Sequence, residues 1–191
     1  MWRRSDPNPR LTYAEVGATA GPLPPGYHHV ERSRTIGRGR DTFDDAAARL
    51  MSWDLQRRAG LEVAAATPTA VTGARVTVRL RVGPLHTDAP CQVVYVVDEP
   101  RRRGFAYGTL TGHPESGEEL FCVAWRDDDT VVLTVRAFSR SATLWSRAGA
   151  PVARAVQRHI TDRYLTALRP DNGTMDGDEQ NGAVTGDDTT Q

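Results

Sequence analysis

Residues 104–138 read GFAYGTLTGHPESGEELFCVAWRDDDTVVLTVRAF, and the punctuation of this stretch decides the fold. Segments 104–111, 118–126 and 130–138 are rich in β-branched, aromatic and other apolar residues, and each has the length of a strand. The breaks between them, one around His113-Pro114 and one at Arg126-Asp127-Asp128-Asp129-Thr130, are short. Parallel neighbours need a crossover of about a dozen residues or more, so these strands are expected to pair as antiparallel hairpins. In the first break Pro114 presets φ for a turn, and Gly117 is expected at the position that requires a positive φ.

The period of two extends toward the N-terminus. Val76, Val78, Leu80 and Val82 alternate with Arg75, Thr77, Arg79 and Arg81, a half-buried strand whose arginines face solvent or, as the second reading, an anionic partner. Residues 91–97 form another strand and 27–36 an extended segment. Between them Asp41 is a candidate N-cap, with Asp44 and Asp45 in the first turn, for a helix whose apolar stripe is Phe43, Ala47, Leu50, Met51 and Trp53 and whose stop is Gly60. Pro151 opens a second helical pattern, with Val152, Ala155, Val156, His159, Ile160, Tyr164, Leu165 and Leu168 on or beside one face, ended by Arg169-Pro170. This order predicts an α+β fold: a curved antiparallel sheet wrapped around a long C-terminal helix, with a cavity between the two.

Three segments are expected. Residues 1–26 form an N-terminal arm, closed off by Gly21-Pro22-Leu23-Pro24-Pro25-Gly26; 27–170 form a single domain; 171–191, rich in Gly, Asp, Asn, Thr and Gln, form a disordered acidic tail. Of the 191 residues 39% are hydrophobic, and no stretch approaches the ~20 consecutive apolar residues of a membrane span. Met1-Trp2-Arg3-Arg4 leads into no apolar run of the kind a secretory signal contains, so cytoplasmic residence is expected.

All 24 basic residues are arginine, against 24 acidic residues; six of the acids lie in the tail, which leaves 18 in the remainder and a body of +6. That excess is small for a nucleic-acid-binding domain, so nucleic acid is not the expected partner. Cys91 and Cys122 sit alone in apolar runs and read as buried thiols. No HExxH or GxSxG motif occurs, the adjacent His28 and His29 point to opposite faces of a strand, and neither a metal nor a cofactor is expected. Gly37-Arg38-Gly39-Arg40 reads as a strand-to-helix turn rather than a phosphate cradle.

The polar candidates gather around the first hairpin. His113 with Glu115, Glu118 or Glu119 has the composition of an acid/base group, although a turn would carry polar residues in any case. Tyr107 and Thr109 share a strand face with Phe105, while Ala106, Gly108 and Leu110 share the other. The small residues there leave room for a bulky side chain from the helix or for a ligand. Trp53 and Trp125 are candidate cavity walls; for these two, as for Tyr95 and Trp145, core packing is the plainer alternative.

Several segments in order, "LTYAEVGAT", "PPGYHHVERSRTIGRGRDTF", "YGTLTGHPESGEELF" and "FSR" followed by Pro151, Arg154 and Gln157, resemble the DUF1990 family over most of residues 11–168. Ser141 departs from the family's tendency to a proline after Ser-Arg. The resemblance implies a helix-grip fold like that of START and Bet v 1 proteins, whose members commonly bind apolar small molecules between sheet and helix and sometimes modify them. It brings no catalytic residues.

Three functional readings follow. In the first, a small, largely apolar molecule binds between the sheet and the C-terminal helix, with Tyr107, Thr109, His113 and Glu119 as polar contacts and Trp53 and Trp125 as walls. In the second, an enzyme uses the same cavity, with His113 as acid/base and Glu115 or Glu119 orienting it. In the third, exposed arginines and the acidic tail contact a protein partner and no ligand is bound.

Overall fold

The computed structural model, which describes residues 9–82, 85–142 and 161–168, pairs the first strand of the chain with its last. The strands are β1 His28–Arg38, β2 Glu62–Ala65, β3 Arg75–Val82, β4 Leu85–Glu99, β5 Arg102–Thr109, β6 Glu115–Trp125 and β7 Thr130–Ser141. They form one sheet in the order β1-β7-β6-β5-β4-β3-β2, every neighbouring pair antiparallel. The meander from β2 to β7 follows from its short turns, and the long return that sets β1 beside β7 carries the helices. Register shifts between Thr35 and Gly37 in β1 and between Val93 and Tyr95 in β4 bend the strands they interrupt.

The hairpins expected from the sequence are present, most with longer strands. The short β2 has no period of its own in the sequence; it is fixed by pairing with β3, Val63 opposite Val78 and Ala65 opposite Val76. The turn glycine of the β5–β6 hairpin is Gly112, at φ 97, and not Gly117. Gly117 lies inside β6, where a Cβ would overlap the Phe138 carbonyl, so it is there for strand approach.

The single helix expected after Asp41 is two. α1 Arg40–Met51 starts at Gly39, whose φ of 82 replaces side-chain capping by Asp41, and α2 Asp54–Arg58 follows. Between them Trp53 adopts a left-handed conformation, φ 69, in which its side chain is fully buried. Its indole N–H donates to the Thr67 carbonyl at 3.1 Å, and its ring meets Phe105 edge-on at 5.0 Å. Left-handed backbone costs about 1–2 kcal/mol, which burial of so large a side chain offsets. Gly60, φ 83, ends the pair as its sequence position suggests.

Most of the core lies on one face of the sheet. Phe43, Ala46 and Leu50 of α1, Leu55 of α2, Phe105, Phe121, Val123, Leu133 and Val135 of the sheet, and Tyr164, Leu165 and Leu168 form one cluster. Residues 161–167 are helical and belong to the expected C-terminal helix. Its first part from Pro151, Trp145 and the tail 171–191 fall outside the described residues.

The opposite face holds a smaller apolar cluster, Ala106, Leu120 and Cys122, flanked by Val94, Tyr95 and Val97. Beside that cluster, residues 11–21 fold down onto the same face. Leu11 bridges to Leu110, and Tyr13 and Leu11 occupy the space over Gly108. The small side chains of Ala106 and Gly108 therefore make room for neither the helix nor a ligand; at Gly108 the occupant is the N-terminal segment. Arg79 also differs from its sequence reading. It is 2% exposed and donates to Asp88 at 2.6 and 3.0 Å instead of facing water.

Candidate functional site

Antiparallel register converts strand positions into rows across the sheet. On the face carrying the main core, one row runs Val30, Ala137, Glu119, Tyr107 and Val93. The next row on one side is Arg32, Val135, Phe121, Phe105 and Val96. On the other side His28, Ser139 and Gly117 are aligned, and Glu115 lies further along β6 on the same face. Two acids, Glu119 and Glu115, and one tyrosine, Tyr107, thus stand on the face that carries the aliphatic and aromatic core.

Tyr107 donates its hydroxyl proton to Glu119 Oε2 at 3.1 Å. Its ring packs 5.4 Å from Phe121, and Phe121 packs edge-on to Tyr164 at 5.0 Å. The Tyr164 hydroxyl interacts with that of Tyr107 from the helix side. Burial pushes both phenols well above their ordinary pKa, with the proximity of Tyr164 and Glu119 adding to the effect on Tyr107. Desolvation likewise raises Glu119 to about 7; the Tyr107 hydrogen bond opposes this and the nearby Glu115 adds to it. Near neutrality Glu119 is divided between acid and carboxylate.

Glu115 is raised by burial as well, opposed by a hydrogen bond from Ser139 and by the charge of His28. Cys91 on β4 is fully buried and its thiol is pushed up, first by burial and then by Glu119. The polar groups Tyr164, Tyr107, Glu119, Glu115, Ser139 and His28 therefore extend from the helix across β5, β6 and β7 to β1.

Other sequence candidates serve the hairpin itself. His113 Nδ1 lies 2.9 Å from the Glu115 amide, which donates to it, and 3.0 Å from the Glu115 carbonyl. Burial lowers the imidazole to about 4, so the ring is neutral, its Nδ1 an acceptor and its proton on Nε2. Thr109 Oγ1 accepts from Gly117 N at 3.0 Å and lies 2.6 Å from Thr12 Oγ1, so this hydroxyl fastens the strand ends. Trp53 is a core residue.

Trp125 stands six residues beyond Glu119, roughly 20 Å along the strand. It stacks on Phe43 at 6.4 Å, lies 4.5 Å beneath the Arg101 guanidinium and donates to Asp129 at 2.9 Å. The structure brings together Tyr107, Glu119 and Glu115, ties the His113 ring to the Glu115 backbone and not to a carboxyl, and leaves Trp125 at the far end of β6.

Glu118, grouped with the other acids in the sequence, faces the opposite side and is 3% exposed. Its Oε2 accepts from Tyr13 Oη and Gly17 N, both at 2.7 Å, and its Oε1 from Thr19 N at 3.0 Å and Thr19 Oγ1 at 2.5 Å. Arg136 adds bonds to the Thr19 and Gly21 carbonyls at 2.9 and 2.7 Å.

A separate pocket of about 360 Å³ opens beside Met51, Ala70, Val71 and Val96, with the ion-paired Asp98 and Arg103 in its lining. Among the described residues no three of His, Cys, Asp or Glu converge as a metal site, and no helix is long and apolar enough to cross a membrane. Tyr164 and Ser139 are the site residues that sequence reasoning missed. The signals were a tyrosine on a mostly apolar helix stripe and a serine that hairpin register sets opposite Gly117.

Comparison with known proteins places this geometry in context. The chain is 33% identical over 172 residues to a UPF0548 protein of Deinococcus radiodurans, covering 82% of this chain and 85% of that one. It is 29% identical over 142 residues to a UPF0548 protein of Arabidopsis thaliana, covering 70% and 67%. Among solved structures, a hypothetical protein of Helicobacter pylori superposes with a TM-score of 0.57 at 9% identity, covering 84% of this chain and 94% of that one. The Zhui aromatase/cyclase of Streptomyces sp. R1128 superposes at 0.53 and 18% identity, covering 74% and 91%. These likenesses establish the helix-grip fold, a curved antiparallel sheet with helices on one face. The model of DUF1990, a domain of unknown function, matches residues 12–167, and the chain belongs to that family.

Proposed function

We propose that the protein binds a small, largely apolar molecule against the core-bearing face of its sheet, beneath the C-terminal helix, with Tyr107 and Glu119 as its polar contacts. The observation that carries this reading is the Tyr107–Glu119 hydrogen bond, whose phenol is buried and whose carboxyl is half-buried on the core-bearing face. A carboxyl and a phenol among Phe105, Phe121 and Val93 cost free energy that apolar residues at the same positions would not. Groups held at such a cost are concentrated in sites. The fold is shared with a protein described as an aromatase/cyclase, which supports a small-molecule role for this architecture.

An enzymatic version built on His113 draws no support from the geometry. Its Nδ1 is taken by the Glu115 backbone, and its low pKa leaves it uncharged at neutrality. If catalysis occurs on this face, Glu119 is the group whose proton is available there.

Native mass spectrometry of the purified protein tests the binding reading. A reproducible mass excess that is released on denaturation and identified as a small organic molecule is the expected result. A chain that carries no such mass, and that no apolar compound stabilises against heat, overturns it.

A further inference from the structure

Glu119 and Tyr107 face each other across β5 and β6 and are joined by the 3.1 Å bond from the phenol to the carboxyl. The groups around them define what they can recognise. Tyr164 approaches from the helix, Glu115 from the same strand and Cys91 from β4, while Ala137 and Val30 fill the row on β7 and β1. His28 on β1 acts on Glu115. Among the described residues no cation is paired with Glu119: the arginines of the neighbouring strands that form ion pairs do so with Glu31, Glu62, Asp88, Asp98, Glu99 and Asp127.

Two phenols and a carboxyl with no cation paired to them among the described residues make a poor site for an anion. They make a good donor site for a neutral oxygen. Tyr107 spends its proton on Glu119 when Glu119 is a carboxylate. When Glu119 is protonated, the pair holds two O–H groups between them, and one is free to donate outward.

We propose that the Tyr107–Glu119 pair is a proton-gated recognition element for an uncharged ligand bearing a carbonyl oxygen, holding that oxygen through the neutral carboxylic acid and rejecting ligands that carry a carboxylate. This rests on the binding reading above and adds the ligand's class and its dependence on pH. Burial of the carboxyl, which raises it to about 7, puts the gate in the physiological range. The protonated fraction falls from about nine-tenths at pH 6 to about one-thirtieth at pH 8.5, so affinity for a carbonyl ligand falls by roughly thirtyfold if only the protonated pair binds it.

The test uses three fluorescent probes on the full chain: the neutral naphthyl ketone prodan, the matching 6-dimethylamino-2-naphthoate, and the hydrocarbon diphenylhexatriene. Expected results are tight ketone binding at about pH 6 that weakens at least tenfold by about pH 8.5, carboxylate binding at least tenfold weaker than the ketone at every pH, and hydrocarbon binding independent of pH. Glu119→Gln keeps a donor without a titrating proton, so it retains ketone binding and loses the pH dependence. Glu119→Leu removes the acid and with it the pH dependence of ketone binding while retaining the hydrocarbon, and Tyr107→Phe, which leaves the carboxylic acid in place, keeps a pH-dependent ketone affinity. Ketone binding that is indifferent to pH and to Glu119→Gln, beside intact hydrocarbon binding, overturns the gate and leaves the ligand-binding reading standing. Failure of all three probes to bind wild type overturns both. Far-ultraviolet circular dichroism of each variant accompanies the titrations, and Glu119→Gln, close to isosteric, carries the decision if the leucine variant does not fold.

Discussion

Glu118 and Glu119 are consecutive, yet their carboxyls lie on opposite faces of the sheet: Glu118 is bonded by Tyr13, Gly17 and Thr19 of the N-terminal segment, and Glu119 by Tyr107 beneath the C-terminal helix. Among the described residues one is closed off by four donors and the other accepts from one. The strand's period of two thus assigns neighbouring residues of the same type to anchoring and to recognition.

Glu118→Ala removes the acceptor for four bonds, two of them to backbone amides, and leaves buried donors unsatisfied. Hydrogen bonds to a charged acceptor are worth about 1.5–3 kcal/mol each and do not add, so a loss of about 3–5 kcal/mol is expected in chemical denaturation. Proteolysis between Tyr13 and Gly21 should become rapid before global unfolding, and hydrocarbon-probe binding should persist in the variant.

Ionisation of Glu119 on raising the pH contributes a loss of stability, seen in full once the opposing contribution of His113 is removed. The group's folded pKa of about 7 lies above its ordinary 4.5, so the native state holds more protons than the unfolded state between those values. Stability is therefore lost as pH rises from about 4.5 to 7, by up to about 3 kcal/mol, and the loss stays constant at higher pH. Glu119→Gln removes this slope; urea midpoints across the range provide the measurement.

His113 works in the opposite sense. Its folded pKa of about 4 lies below the ordinary 6.5, so the unfolded state holds more protons and stability falls as pH drops from about 6.5 to 4, again by about 3 kcal/mol at most. In wild type the two slopes nearly cancel between about pH 4.5 and 6.5. Glu119→Gln should unmask acid lability, and His113→Asn, which can accept the Glu115 amide as an asparagine turn does, should keep the hairpin and unmask the Glu119 slope. Nuclear magnetic resonance of the His113 ring should show the Nε2–H tautomer at neutrality.

Gly108→Ala would set a methyl group into the Tyr13 hydroxyl and 2.8 Å from Leu11 Cδ2. The N-terminal segment must lift to admit it, which also breaks the Tyr13–Glu118 bond. A loss of about 2–4 kcal/mol is expected, and in a double-mutant cycle it should be strongly non-additive with Glu118→Ala, since both release the same segment.

Much of this fold is legible in the residues because turn chemistry is local. Arg126-Asp127-Asp128-Asp129-Thr130 closes on itself, Asp128 accepting from Thr130 N at 3.1 Å and Oγ1 at 2.6 Å, and such a turn permits only a hairpin. Face assignment is equally local, which is why Phe105 and Tyr107 were separable from Ala106 and Gly108. What the sequence hides is non-local. The covering of Gly108 by Tyr13 and the anchoring of Thr19 by Glu118 join residues about a hundred positions apart, and no period in either segment announces the other. Gly117 was misassigned because a glycine near a proline in a polar run fits a turn as well as it fits a crowded strand. The break at Trp53 has the same origin: a helical stripe continues through it, and only the demand of the core for its indole turns the backbone left-handed.

The pairing of β1 with β7, and of residues 11–21 with Glu118, also fixes an order of events during synthesis. Both early segments leave the ribosome about a hundred residues before their partners, as with Arg32 opposite Val135 and Tyr13 bonded to Glu118. The β3–β6 hairpins, whose contacts are short in sequence, can form as they emerge, whereas β1 must wait as an unpaired edge. Its Glu31, Arg32 and Arg34, all exposed, are the charges expected on a strand that also ends at the edge of the finished sheet. Completion of the sheet is thereby tied to the arrival of β7, the last strand in chain order and the only one that β1 pairs with.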